Sequence, residues 1–100
     1  MLWAIYCVDR SNTASLRDRH MRPHRDYLDQ RKPILVLGGA TLNDDASTAT
    51  GSLFIINVRD RVEAETFSAN DPFTRAGIFD RIVITRVRKS QWNPPAADGA

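Results

Sequence analysis

Leu2-Trp3-Ala4-Ile5-Tyr6-Cys7-Val8 is apolar at every position and stops at Asp9. Successive side chains of an extended chain point to opposite faces, so such a strand needs cover on both sides and belongs in the middle of a sheet. Trp3, Ile5 and Cys7 share one face, and Leu2, Ala4, Tyr6 and Val8 share the other. The run is too short to be the core of a signal peptide, and nothing in the chain approaches transmembrane length. A cytoplasmic protein is the default expectation.

The other elements follow from local signals. Ser11, Asn12 and Thr13 are helix-capping residues, and Leu16, His20, His24, Tyr27 and Leu28 then fall on one helical stripe. Pro23 interrupts that stripe, so the segment is either two pieces or one kinked helix. Ile34-Leu35-Val36-Leu37 reads as a second buried strand that ends at Gly38-Gly39, and the small polar residues from Asn43 to Thr50 read as a flexible loop. Gly51 and Ser52 lead into a third strand, Leu53 to Val58. Asp60 with Glu63 three residues on resembles a capping box opening a second helix over Val62 to Ala69. Asn70 and Asp71 suit a helix end or a new cap, Pro72 suits the first position of a short turn, and Gly77 allows the left-handed residue that closes it. Phe79 to Val87, rich in β-branched residues, is the last strand. Residues 1–90 therefore form one domain. Residues 91–100, with Pro94-Pro95 among small residues, form a flexible tail with no means of packing.

The order β-α-β-β-α-β is the ferredoxin-like arrangement of the α+β class. Two helices can cover only one face of a four-stranded sheet, yet the first three strands are apolar on both. A soluble monomer avoids so large a bare apolar face, and a second copy packed sheet to sheet removes it. A homodimer is expected on that ground.

Composition excludes little else. A formal charge of +2 on 100 residues is too small to call for a nucleic-acid partner. Arg17, Asp18, Arg19, Arg25, Asp26, Asp29 and Arg31 interleave both signs, the pattern of a solvated helix face. Cys7 is the only cysteine and sits inside an apolar run, where it reads as a small buried hydrophobe.

Few residues can carry chemistry. His20 and His24 lie one turn apart, but no glutamate follows His20 and no third ligand stands at a telling spacing, so no metal is expected. Acid–base work by a partly buried imidazole beside a carboxylate suits them better. There is no phosphate loop, nucleophile elbow or dinucleotide fingerprint. Asp71 suits either a turn cap or a working carboxylate. Ser52 could present a hydroxyl to a pocket, and Arg22 or Arg25 could hold an anionic substrate, although helix arginines more often solvate a surface.

Four segments of the chain resemble the YCII-related (YciI-like) family of the dimeric α+β barrel superfamily. They are the opening strand with Asp9, the stretch Arg22-Pro23-His24-Arg25-Asp26-Tyr27-Leu28, the pair Leu35 to Gly39 and Gly51-Ser52, and Ala64 through Asn70-Asp71-Pro72-Phe73 to Phe79. The resemblance implies a ferredoxin-like dimer whose pocket is lined by a histidine of the first helix, here His24, and the aspartate of the Asp-Pro-Phe segment, here Asp71. It also implies an enzyme: a relative eliminates chloride from chlorinated hydroxyquinols, and similar folds host muconolactone isomerases and small monooxygenases. Two positions depart from the family pattern. Arg25 stands where an apolar residue usually follows the histidine, and Ala40 stands where proline commonly follows the glycine.

The resulting expectation is a cofactor-free lyase or isomerase acting on a small cyclic or aromatic-derived metabolite. His24 moves the proton, Asp71 orients the imidazole, and Tyr6, Phe54 and Phe73 supply flat apolar walls. A non-catalytic dimer that binds a small ligand, or one that serves only as a structural or regulatory partner, would need much the same residues.

Overall fold

A computed structural model describes residues 1–100. Its elements run β1 (Leu2–Asp9), α1 (Ala14–Gln30), β2 (Leu35–Leu42), β3 (Ala49–Asn57), α2 (Arg61–Asn70), α3 (Pro72–Arg75) and β4 (Phe79–Val87). The four strands form one antiparallel sheet in the order β2-β3-β1-β4, so β1 is central as its two apolar faces require. This is the ferredoxin-like α+β topology, with the short α3 added before the last strand.

One face of the sheet carries the core. Trp3, Ile5 and Cys7 of β1 and Phe54 and Ile56 of β3 are buried there with Ala64 and Phe67 of α2. Leu16, Met21, Tyr27 and Leu28 of α1 pack against them. α1 runs through Pro23 as a single helix. The proline takes one backbone bond from the helix, but its ring is exposed while His24, Tyr27 and Leu28 hold the following turn on the sheet. Thr13 occupies the cap position of α1 without capping it, because its hydroxyl donates to the Arg10 carbonyl instead (3.1 Å).

At α2 the Asp60 carboxylate accepts the Glu63 amide at 2.9 Å, and the reciprocal arm reaches one residue further back than the box pattern requires. Glu63 Oε2 accepts from the Arg59 amide, also at 2.9 Å. α2 ends at Asn70 and α3 starts at Pro72. Gly77, with φ of +73°, then turns the chain into β4.

The largest departure from the sequence reading is β2. It does not stop at Gly38-Gly39 but continues to Leu42, because the ladder to β3 pairs Gly38 with Phe54 and Gly39 with Leu53. Paired backbone groups outweigh the turn preference of two glycines. The connecting loop shrinks to 43–48 as a result. Gly51 is needed for a different reason: a Cβ there would lie 1.9 Å from the Cys7 carbonyl oxygen, so β1 and β3 could not approach as they do.

The other sheet face is bare in the single chain. Tyr6 and Leu37 are exposed, and Leu53, Ile55 and Val83 only half-buried. The residues beyond β4 form one short 3-10 turn, Pro94–Ala97, and are exposed throughout. No helix is long and apolar enough to cross a membrane.

Candidate active site

Asp71 stands at the joint between α2 and α3, extended at φ −64°, ψ 125°. Its Oδ1 accepts the Phe73 amide at 2.9 Å, which makes it the cap of α3. The same oxygen lies 2.7 Å from His24 Nδ1. The two roles weighed for Asp71 are therefore not alternatives, since one oxygen caps the turn and meets the imidazole. Asp71 is 1% exposed and His24 7%.

An oxygen that already takes an amide proton is an acceptor, so His24 Nδ1 is the protonated nitrogen of the pair. His24 Nε2 bonds to nothing in the chain. It is not among the fully buried polar atoms left without a partner, which are Trp3 Nε1 and Thr74 Oγ1, so it keeps contact with solvent. The imidazole stacks on Phe73 with centroids 3.8 Å apart and planes 1° from parallel, and Phe54 lies 6.2 Å away, tilted by 58°. Two aromatic rings and a carboxylate leave the imidazole one orientation.

A second cluster adjoins it. Arg17 is only 6% exposed and grips Asp9 in a two-pronged pair, Nε to Oδ2 at 2.6 Å and Nη2 to Oδ1 at 3.0 Å. Nη2 also donates to the Gly51 carbonyl at 2.7 Å and to Ser52 Oγ at 3.3 Å. The guanidinium carbon sits 5.0 Å from the Phe73 ring centroid, so Phe73 is the common neighbour of Arg17 and His24. Cys7 lies among these charges. Burial pushes its thiol up to about 12, the Asp71 and Asp9 carboxylates push the same way, and Arg17 opposes them. It is held as a neutral thiol and is no nucleophile near neutral pH. No group of three histidine, cysteine or carboxylate side chains is placed to hold a metal ion.

A cleft of about 810 Å³ opens beside this second cluster, between the end of β1, the start of α1 and the loop before β3. Asp9, Thr13, Arg17, Met21, Ala40 and Thr50 are among its walls. His24 and Asp71 do not line it. His24 follows Met21 by three residues on the same side of α1, one turn deeper.

The structure thus brings His24, Asp71, Phe54 and Phe73 together and places Ser52 beside Arg17 in the same layer. It separates two expected members. Tyr6 lies between Ile5 and Cys7 on β1, so strand alternation turns it to the bare face, where it is 47% exposed. It cannot wall a site on the covered face. Arg22 precedes His24 by two residues, which at about 100° per residue sends it to the far side of the helix; it is exposed, and its side chain has no hydrogen-bond partner. His20 is half-buried without a side-chain partner, and Arg25 is exposed.

Arg17 is the residue that the sequence reading misassigned to a solvated face. A signal was present: Arg17, Met21 and His24 are spaced i, i+4 and i+7, one face of one helix. The run of alternating charges around it concealed that spacing.

Comparison with known proteins fits this arrangement. The model of the YCII-related domain matches residues 1–88. The structure of 5-chloro-2-hydroxyhydroquinone dehydrochlorinase (TftG) from Burkholderia phenoliruptrix AC1100, in complex with 2,5-dihydroxybenzoquinone, is similar with a TM-score of 0.83 and 34% identity. That likeness covers 88% of this chain and 94% of that one. Two further structures have a TM-score of 0.49: At3g17210 from Arabidopsis thaliana (7% identity, 92% of this chain and 97% of that one) and an antibiotic biosynthesis monooxygenase (15% identity, 88% and 99%). Neither bears on the site. No curated protein sequence matches. The match of the domain model across nearly the whole chain, on a sheet order and helix placement of the expected kind, shows that the chain belongs to the YCII-related domain family.

Proposed function

We propose that this protein is a small enzyme of the lyase or isomerase type, working without a cofactor on a small cyclic or aromatic-derived metabolite. The observation that carries the reading is the buried contact of His24 Nδ1 with Asp71 Oδ1 at 2.7 Å, with Nε2 left unpartnered. Asp71 holds the ring in one tautomer and one orientation, and Nε2 is the lone pair offered to a substrate proton. The likeness to a dehydrochlorinase at 34% identity supports an elimination. In such a step the substrate proton goes to Nε2. The electron pair of the broken bond forms the new π bond, and chloride leaves with the C–Cl pair. The neutral Cys7 thiol takes no part.

Assembly belongs to the same proposal. The bare face, with Tyr6, Leu37, Leu53, Ile55 and Val83, suits a second copy packed sheet to sheet. Tyr6 then serves the dimer rather than the pocket. A second reading is a ligand-binding or regulatory dimer without turnover. It is favoured by one fact, that neither His24 nor Asp71 lines the open cleft.

Chloride release from 5-chloro-2-hydroxyhydroquinone separates these readings. His24→Gln should lower the rate by about 10²–10⁴-fold, the range of a lost general base. Asp71→Asn keeps an acceptor oxygen for both Nδ1 and the Phe73 amide but removes the charge, and should lose at least about tenfold. Wild-type rates in folded variants would refute the catalytic pair. Saturable binding with no turnover by the wild type would favour the binding module.

A further inference from the structure

A second cavity, of about 410 Å³, opens on the helical side of the sheet between the C-terminal end of α1 and α2. It shares no wall with the cleft beside Arg17, and neither His24 nor Asp71 lines it. Its size falls within the range of small-molecule pockets, about 300–1,000 Å³. The floor is apolar. Tyr27 and Phe67 meet there with ring centroids 5.6 Å apart and planes tilted by 40°, and Ile34 and Val58 lie beside them. Most polar groups around this floor are already engaged within the chain. The Tyr27 hydroxyl donates to the Phe67 carbonyl at 2.9 Å, and the Thr66 hydroxyl to the Val62 carbonyl at 2.8 Å. Glu63, the one acid in the walls, is held by Arg59: Oε2 accepts the Arg59 amide at 2.9 Å, and Oε1 lies 3.3 Å from Nη2.

Arg31 is the exception. It is the one basic residue in the walls, and its guanidinium has neither a hydrogen-bond partner nor an ion pair. The carboxylate of Asp29, two residues back on α1, is engaged by Lys32 at 3.7 Å instead. The guanidinium carbon of Arg31 sits 5.1 Å from the Tyr27 ring centroid. The cation is therefore set against the aromatic floor with its planar fork of N–H donors unspent. We propose that this cavity is a second ligand site, which takes a small molecule with a flat apolar body and one carboxylate. The ring lies on Tyr27 and Phe67, and the carboxylate meets the Arg31 fork, a charge-assisted pairing about twice as strong as a neutral hydrogen bond. The charge balance selects an anion, because the only carboxylate in the walls is already neutralised by Arg59.

The test titrates the full chain calorimetrically with 2-naphthylacetate and 2-naphthylacetamide, which are alike in shape and differ in charge. The carboxylate should bind at least about fivefold more tightly. Arg31→Gln should bring the two probes within about twofold by weakening only the carboxylate. Arg31 is exposed, and the bond it gives to α1 is its main-chain amide to the Leu28 carbonyl, so this variant keeps the fold. In NMR spectra of the wild type, amide shifts on addition of naphthylacetate should gather at Tyr27, Val58 and Phe67. No binding of either probe at millimolar concentration would overturn the proposal, as would equal affinity of the two for the wild type. A preference that survives Arg31→Gln would do the same, and so would shifts gathered at Arg17 and Thr50. None of these readouts involves chloride release, so the site stands or falls apart from the reaction proposed for His24 and Asp71.

Discussion

The two faces of the sheet are nearly alike in sequence and unlike in fate. On β1, Ile5 and Cys7 are 0% and 1% exposed, and Tyr6 between them is 47% exposed. On β3, Phe54 and Ile56 are buried, and Leu53 and Ile55 only half so. The covered face also holds the buried ionisable residues Arg17, His24 and Asp71, with the Asp9 carboxylate on Arg17. The bare face is mostly apolar, with Arg81 and Thr85 of β4 in register with Val8 and Ala4 of β1. Apolarity on both faces therefore reports two separate requirements: one is met by this chain's own helices, and the other is not met by the single chain. A site forms where helix, sheet and the α2–α3 joint enclose polar groups, because only there is water kept from competing for their hydrogen bonds.

Substitutions on the two faces should behave as differently as the faces do. Phe54→Ala removes the ring that lies against His24 and meets Phe67 edge-on at 5.7 Å, and should cost roughly 3–5 kcal/mol in denaturant unfolding. A loss below about 1 kcal/mol would mean that the covered face is not the core. Val83→Glu on the bare face, paired with Tyr6 in the ladder, should leave the chain folded but weaken dimerisation by about 2 kcal/mol or more. Sedimentation at micromolar concentration reads this directly, and a wild type that runs as a stable monomer would remove the role given to that face.

Cys7 sharpens the contrast through pH. Its thiol is raised from 9.0 to about 12, so folding favours the neutral form. That contribution is complete below pH 9 and is lost as pH rises toward 12, reaching on the order of 1 kcal/mol by pH 10. The fall in stability between pH 8 and 10 should be shallower in Cys7→Ala by that amount, and identical slopes would show that the thiol is not held neutral. The smallest effect belongs to neither face. Truncation after Ser90 removes an exposed segment whose Trp92 meets only the Lys89 ammonium, at 5.7 Å, and should change stability by no more than about 0.5 kcal/mol. A larger drop in melting temperature would place Trp92 on the body of the protein.

Much of the fold was legible because its signals are local. Capping at Asp60, the helix break at Asn70-Asp71-Pro72, the left-handed Gly77 and the limits of β4 each depend on a few neighbouring residues, and each is found where expected. The end of β2 is not legible locally, because its continuation through Gly38-Gly39 is imposed by β3, which comes later in the chain. In the site, the family resemblance pointed to His24 and Asp71, and the 2.7 Å contact bridges 47 positions. The chemistry of Tyr6 and Arg22 suits a pocket, but strand alternation and helical pitch turn both away from it. Arg17 is a charge among charges, a pattern that reads as solvated although the structure buries it.

By itself, then, the sequence determined the order of elements, the centrality of β1 and the need to cover two apolar faces, since periodicity and capping act over a few residues. Only the tertiary structure decided that Asp71 Oδ1 serves both a turn and an imidazole, and that Arg17 is buried against Asp9, Gly51 and Ser52. Those outcomes depend on which distant groups are left to satisfy one another once water is excluded, and no local pattern encodes that.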